Sequence, residues 1–103
     1  MSLDLYLSRR IYTTVYDANI THNLYGMAKA VGLGCLWNPG KRKAKQLIPK
    51  LERGIKRLEV NGEKYDKFSA KNGWGTREQF IPWLKDLLVA CKEHPTADIS
   101  VSK

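Results

Sequence analysis

Three stretches of this chain hold residue types that can do chemistry. The densest polar run is Asp17-Ala18-Asn19-Ile20-Thr21-His22-Asn23. Its spacing places it where an extended segment hands over to a helix. Asn19, Thr21, His22 and Asn23 can supply hydrogen bonds to a ligand there, and a helix N-terminus favours an anion. The same residue types also serve as ordinary caps and turns, so both readings stand at this point.

A second stretch, Asn72-Gly73-Trp74-Gly75, sets an aromatic ring between two glycines. Trp74 can stack a base or plug a core, and Trp37 carries the same two readings. The third stretch is basic. Residues 41–57 hold Lys41, Arg42, Lys43, Lys45, Lys50, Arg53, Lys56 and Arg57 against the one acid Glu52. The whole chain carries a net charge of +8, so nearly all of the excess is local. On a helix, Lys43, Lys50, Arg53 and Arg57 fall along one flank. That flank either faces phosphate, from nucleic acid or a nucleotide, or is simply solvated. No aromatic residue is interleaved with these bases, unlike the usual single-strand binder.

Catalytic and metal chemistry find little support. His22 can meet Cys35 and Asp17 as base, nucleophile and orienter only by geometry, and no motif announces it. There is no glycine-rich phosphate loop, no H-E-x-x-H and no carboxylate cluster. Cys35 and Cys91 lack metal-site spacing and are expected to be reduced thiols. The chain therefore reads as a binding protein and not an enzyme, with no cofactor and no metal.

The elements that must position these residues follow from periodicity. Residues 2–7 alternate, with Leu3, Leu5 and Leu7 on one side. Residues 11–16 form a second strand or an extended loop. A helix carries Leu24, Met27, Ala28 and Val31 and ends at Gly32-Leu33-Gly34. A second helix runs from about residue 43 to 59, on Leu47, Leu51, Ile55 and Leu58. Pro49 makes it either start near Ile48 or kink. Residues 63–68 suit a short helical turn. Thr76 and Gln79 make a capping box before a third helix on Phe80, Trp83, Leu84, Leu87, Leu88 and Cys91. Residues 96–102 alternate again.

Residues 1–103 thus read as a single α+β domain. A small two- or three-stranded sheet, with the N- and C-terminal strands paired, is covered by about three helices. Hydrophobic residues at 43% and charged residues at 27% suit a folded chain and argue against disorder. No apolar run is long enough for a membrane span, and no secretory leader is evident, so a cytoplasmic protein is expected.

Several strings carry a resemblance. They are Ser2-Leu3-Asp4, Ala18 through Leu24, Leu36-Trp37-Asn38-Pro39, Leu47-Ile48-Pro49, Asn72-Gly73-Trp74-Gly75, Ala90-Cys91 and Ile99 through Ser102. Together they span almost the whole chain, in order. On them the chain resembles a family of small, uncharacterised bacteriophage and prophage proteins. It departs from that family's near-neutral or acidic pattern at residues 41–57. The resemblance implies an accessory role in the host cytoplasm, in which a small phage protein disables host defence by binding something.

Three functions are expected on that footing. The first is sequestration of a nucleotide-like or phosphorylated ligand by Asn19, Thr21, His22, Asn23 and Asn72. There Trp37 or Trp74 stacks a ring and Arg53 and Arg57 neutralise phosphate. The second is inhibition of a host defence protein complex, as an anti-CRISPR would do. The third is nucleic-acid binding through the basic helix, at Lys43, Lys50, Arg53 and Arg57.

Overall fold

A computed structural model describes residues 2–9, 13–69, 73 and 75–102. Asn72 and Trp74 lie outside the described residues, as do Ile11 and Tyr12.

The first strand, β1 (Ser2–Arg9), is the middle of a three-stranded antiparallel sheet. Its partners are β2 (Thr13–Thr21) on one side and β3 (Asp98–Ser102) on the other. Leu3, Leu5 and Leu7 are fully buried, while the residues between them stay partly open to water. The register carries this division across the sheet. Leu7, Leu5 and Leu3 stand opposite Tyr16, Ala18 and Ile20 of β2, and Leu7 and Leu5 stand opposite Ile99 and Val101 of β3. One face is therefore apolar and the other carries Asp4, Tyr6, Asp17, Asn19 and Ser100. The register shifts between Leu7 and Ser8, and Val15 falls at this bulge.

Here β2 corrects the sequence reading. The extended segment does not stop at residue 16; it runs five residues further, to Thr21. Asp17-Ala18-Asn19-Ile20-Thr21 resembles turn chemistry in composition. In pattern it alternates, and pairing with β1 lets Ala18 and Ile20 join the apolar side. Pairing and burial outweigh local propensity at this site.

The chain then makes a short helical turn, His22–Leu24, and enters α1 (Tyr25–Ala30). Next come α2 (Ala44–Val60), the four-residue α3 (Gly62–Tyr65) and α4 (Arg77–Glu93). Pro49 lies inside α2, which is one helix from Ala44 onward. A start near Ile48 is thus set aside. The first turn is anchored from outside the helix, because the Ala44 and Lys45 N–H groups donate to the Ala97 and Pro95 carbonyls at 2.9 Å each. For α4 the expected capping box is present. The Thr76 hydroxyl accepts from the Gln79 N–H at 3.4 Å, and Gln79 Oε1 accepts from the Thr76 N–H at 3.1 Å.

The helices α2 and α4 pack antiparallel, since Glu52 pairs with Lys92 and Glu59 with Lys85. Their apolar stripes, with Leu47, Leu51 and Leu58 from one and Phe80, Leu84 and Leu87 from the other, are fully buried. Arg77 fastens the far end. Its guanidinium donates to the Leu58 carbonyl at 3.3 Å and to Asp66 at 3.0 Å. Gly54 of α2 lets the loop after α1 come close: a Cβ there would sit 2.6 Å from Leu33 Cδ1. Leu33 is itself fully buried, so its side chain cannot swing out into solvent without losing its packing.

Filling that contact is expected to be costly. Gly54→Val should lower stability by about 2 kcal/mol through overpacking. Urea denaturation checks this, as a fall in midpoint at unchanged slope. An unchanged midpoint would mean that α2 and the α1 loop are not pressed together there.

Candidate anion-binding surface

The polar run at the end of β2 is built into the fold rather than left facing a ligand. Asn19 lies on the water side of the sheet, where its amide donates to Asp4 Oδ1 at 2.6 Å and to Ser2 Oγ at 3.0 Å. Its backbone carbonyl accepts from Trp83 Nε1 at 3.0 Å, which ties α4 to the edge of β2. Thr21 caps the following turn by accepting from the Asn23 N–H at 3.3 Å. His22 Nδ1 accepts from Trp37 Nε1 at 2.7 Å.

These bonds bear on two expectations. Trp37 is only 3% exposed and packs against the rings of His22 and Tyr25, with centroids 6.2 and 5.4 Å away. It is a plug whose indole N–H is satisfied internally, and neither face is open to a base. Of the residues expected to line a pocket there, His22 is joined to Trp37 and the Thr21 hydroxyl to the Asn23 N–H, while Asn19 shares the water side of β2 with Thr21 and is held by Asp4 and Ser2. A hollow of about 330 Å³ does lie beside Asn19, lined by Asp4, Tyr6, Asp17 and Ala18. Its two carboxylates repel phosphate. A catalytic set with Asp17 is also absent. The Nδ1 that an orienting carboxylate would hold is taken by the indole.

The basic residues are arranged differently. Lys43 precedes α2 and forms an ion pair with Asp98 of β3, so its role is to join that helix to the sheet. Lys50, Arg53 and Arg57 share the outer flank of α2, as the helical spacing requires. The Arg57 guanidinium donates to the Val31 carbonyl at 3.1 Å, at the end of α1. That bond fixes the group at a helix C-terminus, where a cation is favoured.

The acids of α2 are not on this flank. Glu52 and Glu59 both turn toward α4, pairing with Lys92 at 3.6 Å and Lys85 at 2.9 Å. Among the described residues Lys50, Arg53 and Lys56 form no ion pair, although Lys56 lines a hollow shared with Glu52 and Glu59. Arg53, Lys56 and Arg57 frame a shallow hollow of about 210 Å³ with Val60 and Asn61. Lys56 is the member of this group that the flank reading of the sequence passes over. Its signal was present, because Arg53, Lys56 and Arg57 stand at i, i+3 and i+4. Such crowding of like charge costs a helix a few tenths of a kcal/mol per pair. An anion bound at the flank removes that repulsion.

Among the described residues no group of three or more His, Cys, Asp or Glu side chains could hold a metal ion. No described helix is long and apolar enough to cross a membrane. Both cysteines are free. Burial pushes the Cys91 thiol up to about 11, while Cys35 is only half-buried. Comparison with family models, with curated proteins and with solved structures finds no match for the chain.

Two outcomes follow. His22→Ala leaves the buried indole N–H of Trp37 without its acceptor and should cost roughly 1–3 kcal/mol of stability, read by thermal or urea unfolding. The native protein should show Cys35 reacting with a thiol reagent at pH 8 while Cys91 stays blocked. Cys91 is neutral there, and it should react only after unfolding. Equal rates for the two thiols would contradict the placement of Cys91.

Proposed function

We propose that the protein binds the phosphate backbone of nucleic acid through the outer flank of α2, using Lys50, Arg53, Lys56 and Arg57. The observation that carries this reading is the one-sided disposition of charge on α2. Its two acids pair with lysines of α4, while Lys50, Arg53 and Arg57 lie on the flank away from them and Lys56 stands between the two, with none of Lys50, Arg53 and Lys56 in an ion pair among the described residues.

The chemistry expected of such a flank is sequence-independent. Lysines and arginines spaced along one helix neutralise phosphates and release their counterions, and nothing on the flank is set to read base edges. Sequestration of a nucleotide at the end of β2 is the weaker reading. The hollow there is acidic, and Trp37 is closed. The accessory role in a host cell that the resemblance implies would be exercised, on this account, by occupying nucleic acid.

The test is a salt titration of binding to a short labelled duplex, followed by fluorescence anisotropy. The triple variant Lys50→Gln/Arg53→Gln/Lys56→Gln removes three cations that make no ion pair in the fold. The slope of log Kobs against log salt should fall in magnitude by about 3, at about 0.9 for each phosphate no longer neutralised. Lys85→Gln, on the α4 side, should change the slope far less. Equal slopes for wild type and triple variant would remove the α2 flank from the interface.

A further inference from the structure

We propose that the nucleic acid held by α2 is single-stranded, with one base stacked on the ring of Tyr25 and the neighbouring phosphates met by Lys29 and Arg57. The proposal rests on the phosphate-binding reading of the α2 flank and names the form of its partner. Surfaces that bind single strands combine cations with an aromatic ring, because every base has a π-face whatever its identity. The sequence sets no aromatic residue among the bases of residues 41–57. The fold brings one beside them.

The loop after α1 makes the join. Arg57 donates to the Val31 carbonyl at 3.1 Å, and a Cβ at Gly32 would lie 3.4 Å from Arg57 Nη1. Leu33 packs onto α2 at Gly54, and a Cβ at Gly34 would lie 3.7 Å from both Cα and Cγ of Lys29. Lys29 is exposed, and it forms no ion pair among the described residues. Tyr25 stands one turn before Lys29 on α1, so the two share a face of that helix. From Tyr25 to Val31 the rise is about 9 Å at 1.5 Å per residue. A ring, a lysine and a fixed arginine thus follow one another across the α1–α2 junction.

Tyr25 is suited to stacking by its support. It is 39% exposed and is the exposed aromatic among the described residues. Its ring packs on Trp37 at 5.4 Å between centroids, and Trp37 is buried and bonded to His22. The tyrosine ring therefore has a rigid backing without being enclosed. A side chain already held in place loses little entropy when a ligand meets it. The other ring beside α1 is occupied: Phe68 lies against Gly26, with the Lys67 ammonium 5.3 Å from its centroid. Charge agrees with this path. Residues 18–51 contain no Asp or Glu, so α1, its loop and the first half of α2 contribute no repulsion to a strand laid across them. In a duplex the bases are stacked on one another, and only its phosphates reach the α2 cations.

Three probes of about twelve nucleotides test the proposal: an oligothymidylate, an abasic strand with the same phosphates, and a duplex. By anisotropy near physiological salt, the wild-type protein should bind the oligothymidylate about tenfold more tightly than the abasic strand, the gain from one stacked base. Tyr25→Ala should erase that preference and Tyr25→Phe should keep it. Lys29→Gln should reduce the salt slope for the oligothymidylate by about 0.7. Because Tyr25→Ala also removes a contact with Trp37, the wild-type ring is read directly. The Tyr25 ring-proton resonances should move upfield with the oligothymidylate and stay in place with the abasic strand and the duplex. Equal affinity for the oligothymidylate and the abasic strand would overturn the proposal, and salt-dependent binding of both would leave the phosphate reading standing. A preference that survives Tyr25→Ala would place the stacking ring elsewhere, and ring shifts of equal size with the duplex would remove the single-strand assignment. Absence of binding to all three probes would instead defeat the phosphate reading itself.

Discussion

The fold depends on burying one side of β1. Leu3, Leu5 and Leu7 have no exposure at all, and a strand with one wholly apolar face must be covered to be stable. Being the middle strand, β1 imposes its pleat on both neighbours. It sends Tyr16, Ala18 and Ile20 inward on one side and Ile99 and Val101 inward on the other. Covering that face takes two long helices side by side. Seating α2 and α4 against each other then decides where every charge on α2 can go. The basic flank is in this sense a by-product of the packing. Glu52 and Glu59 pair with lysines of α4, while Lys50, Arg53 and Arg57 lie away from α4, where Arg57 meets the end of α1.

Much of this was legible in the chain. The alternation of Leu3, Leu5 and Leu7 and of Ala97, Ile99 and Val101 marks both terminal strands, and their pairing follows from the need of a short ribbon for partners. Thr76 with Gln79 marks the start of α4 because a capping box satisfies orphan N–H groups locally, without help from distant residues. The end of β2 was not legible in the same way. Asp17 and Asn19 are poor strand formers individually. They are extended because Asp4 and Ser2, far away in sequence, stand beside Asn19 and accept its amide protons. Pro49 left the start of α2 open for a related reason. The first turn of α2 is held by the carbonyls of Pro95 and Ala97, which no local pattern reveals.

The site divides along the same line. Concentration of positive charge in residues 41–57 is a property of composition and needs no fold to be seen. Which of those charges are free is a tertiary fact. Lys43 is joined to Asp98 and Arg57 to the Val31 carbonyl, whereas Lys50, Arg53 and Lys56 make no comparable bond to the described fold. The pairing of Glu52 and Glu59 with α4 joins residues that sequence spacing does not connect. Trp37 shows the opposite case. A tryptophan next to a polar run invites a stacking role, but burial with an internal acceptor at His22 makes it part of the core.

Phosphate binding by the uncompensated flank of α2 is the claim on which the functional account stands. Amide chemical-shift mapping of the wild-type protein with a short duplex tests it most directly, because it reports where the duplex lies without altering any residue. The account predicts perturbations centred on Lys50, Arg53, Lys56 and Arg57, with the water side of the sheet from Asp4 to Asn19 undisturbed. Perturbations centred on that sheet face, or none anywhere at saturating duplex, would contradict it.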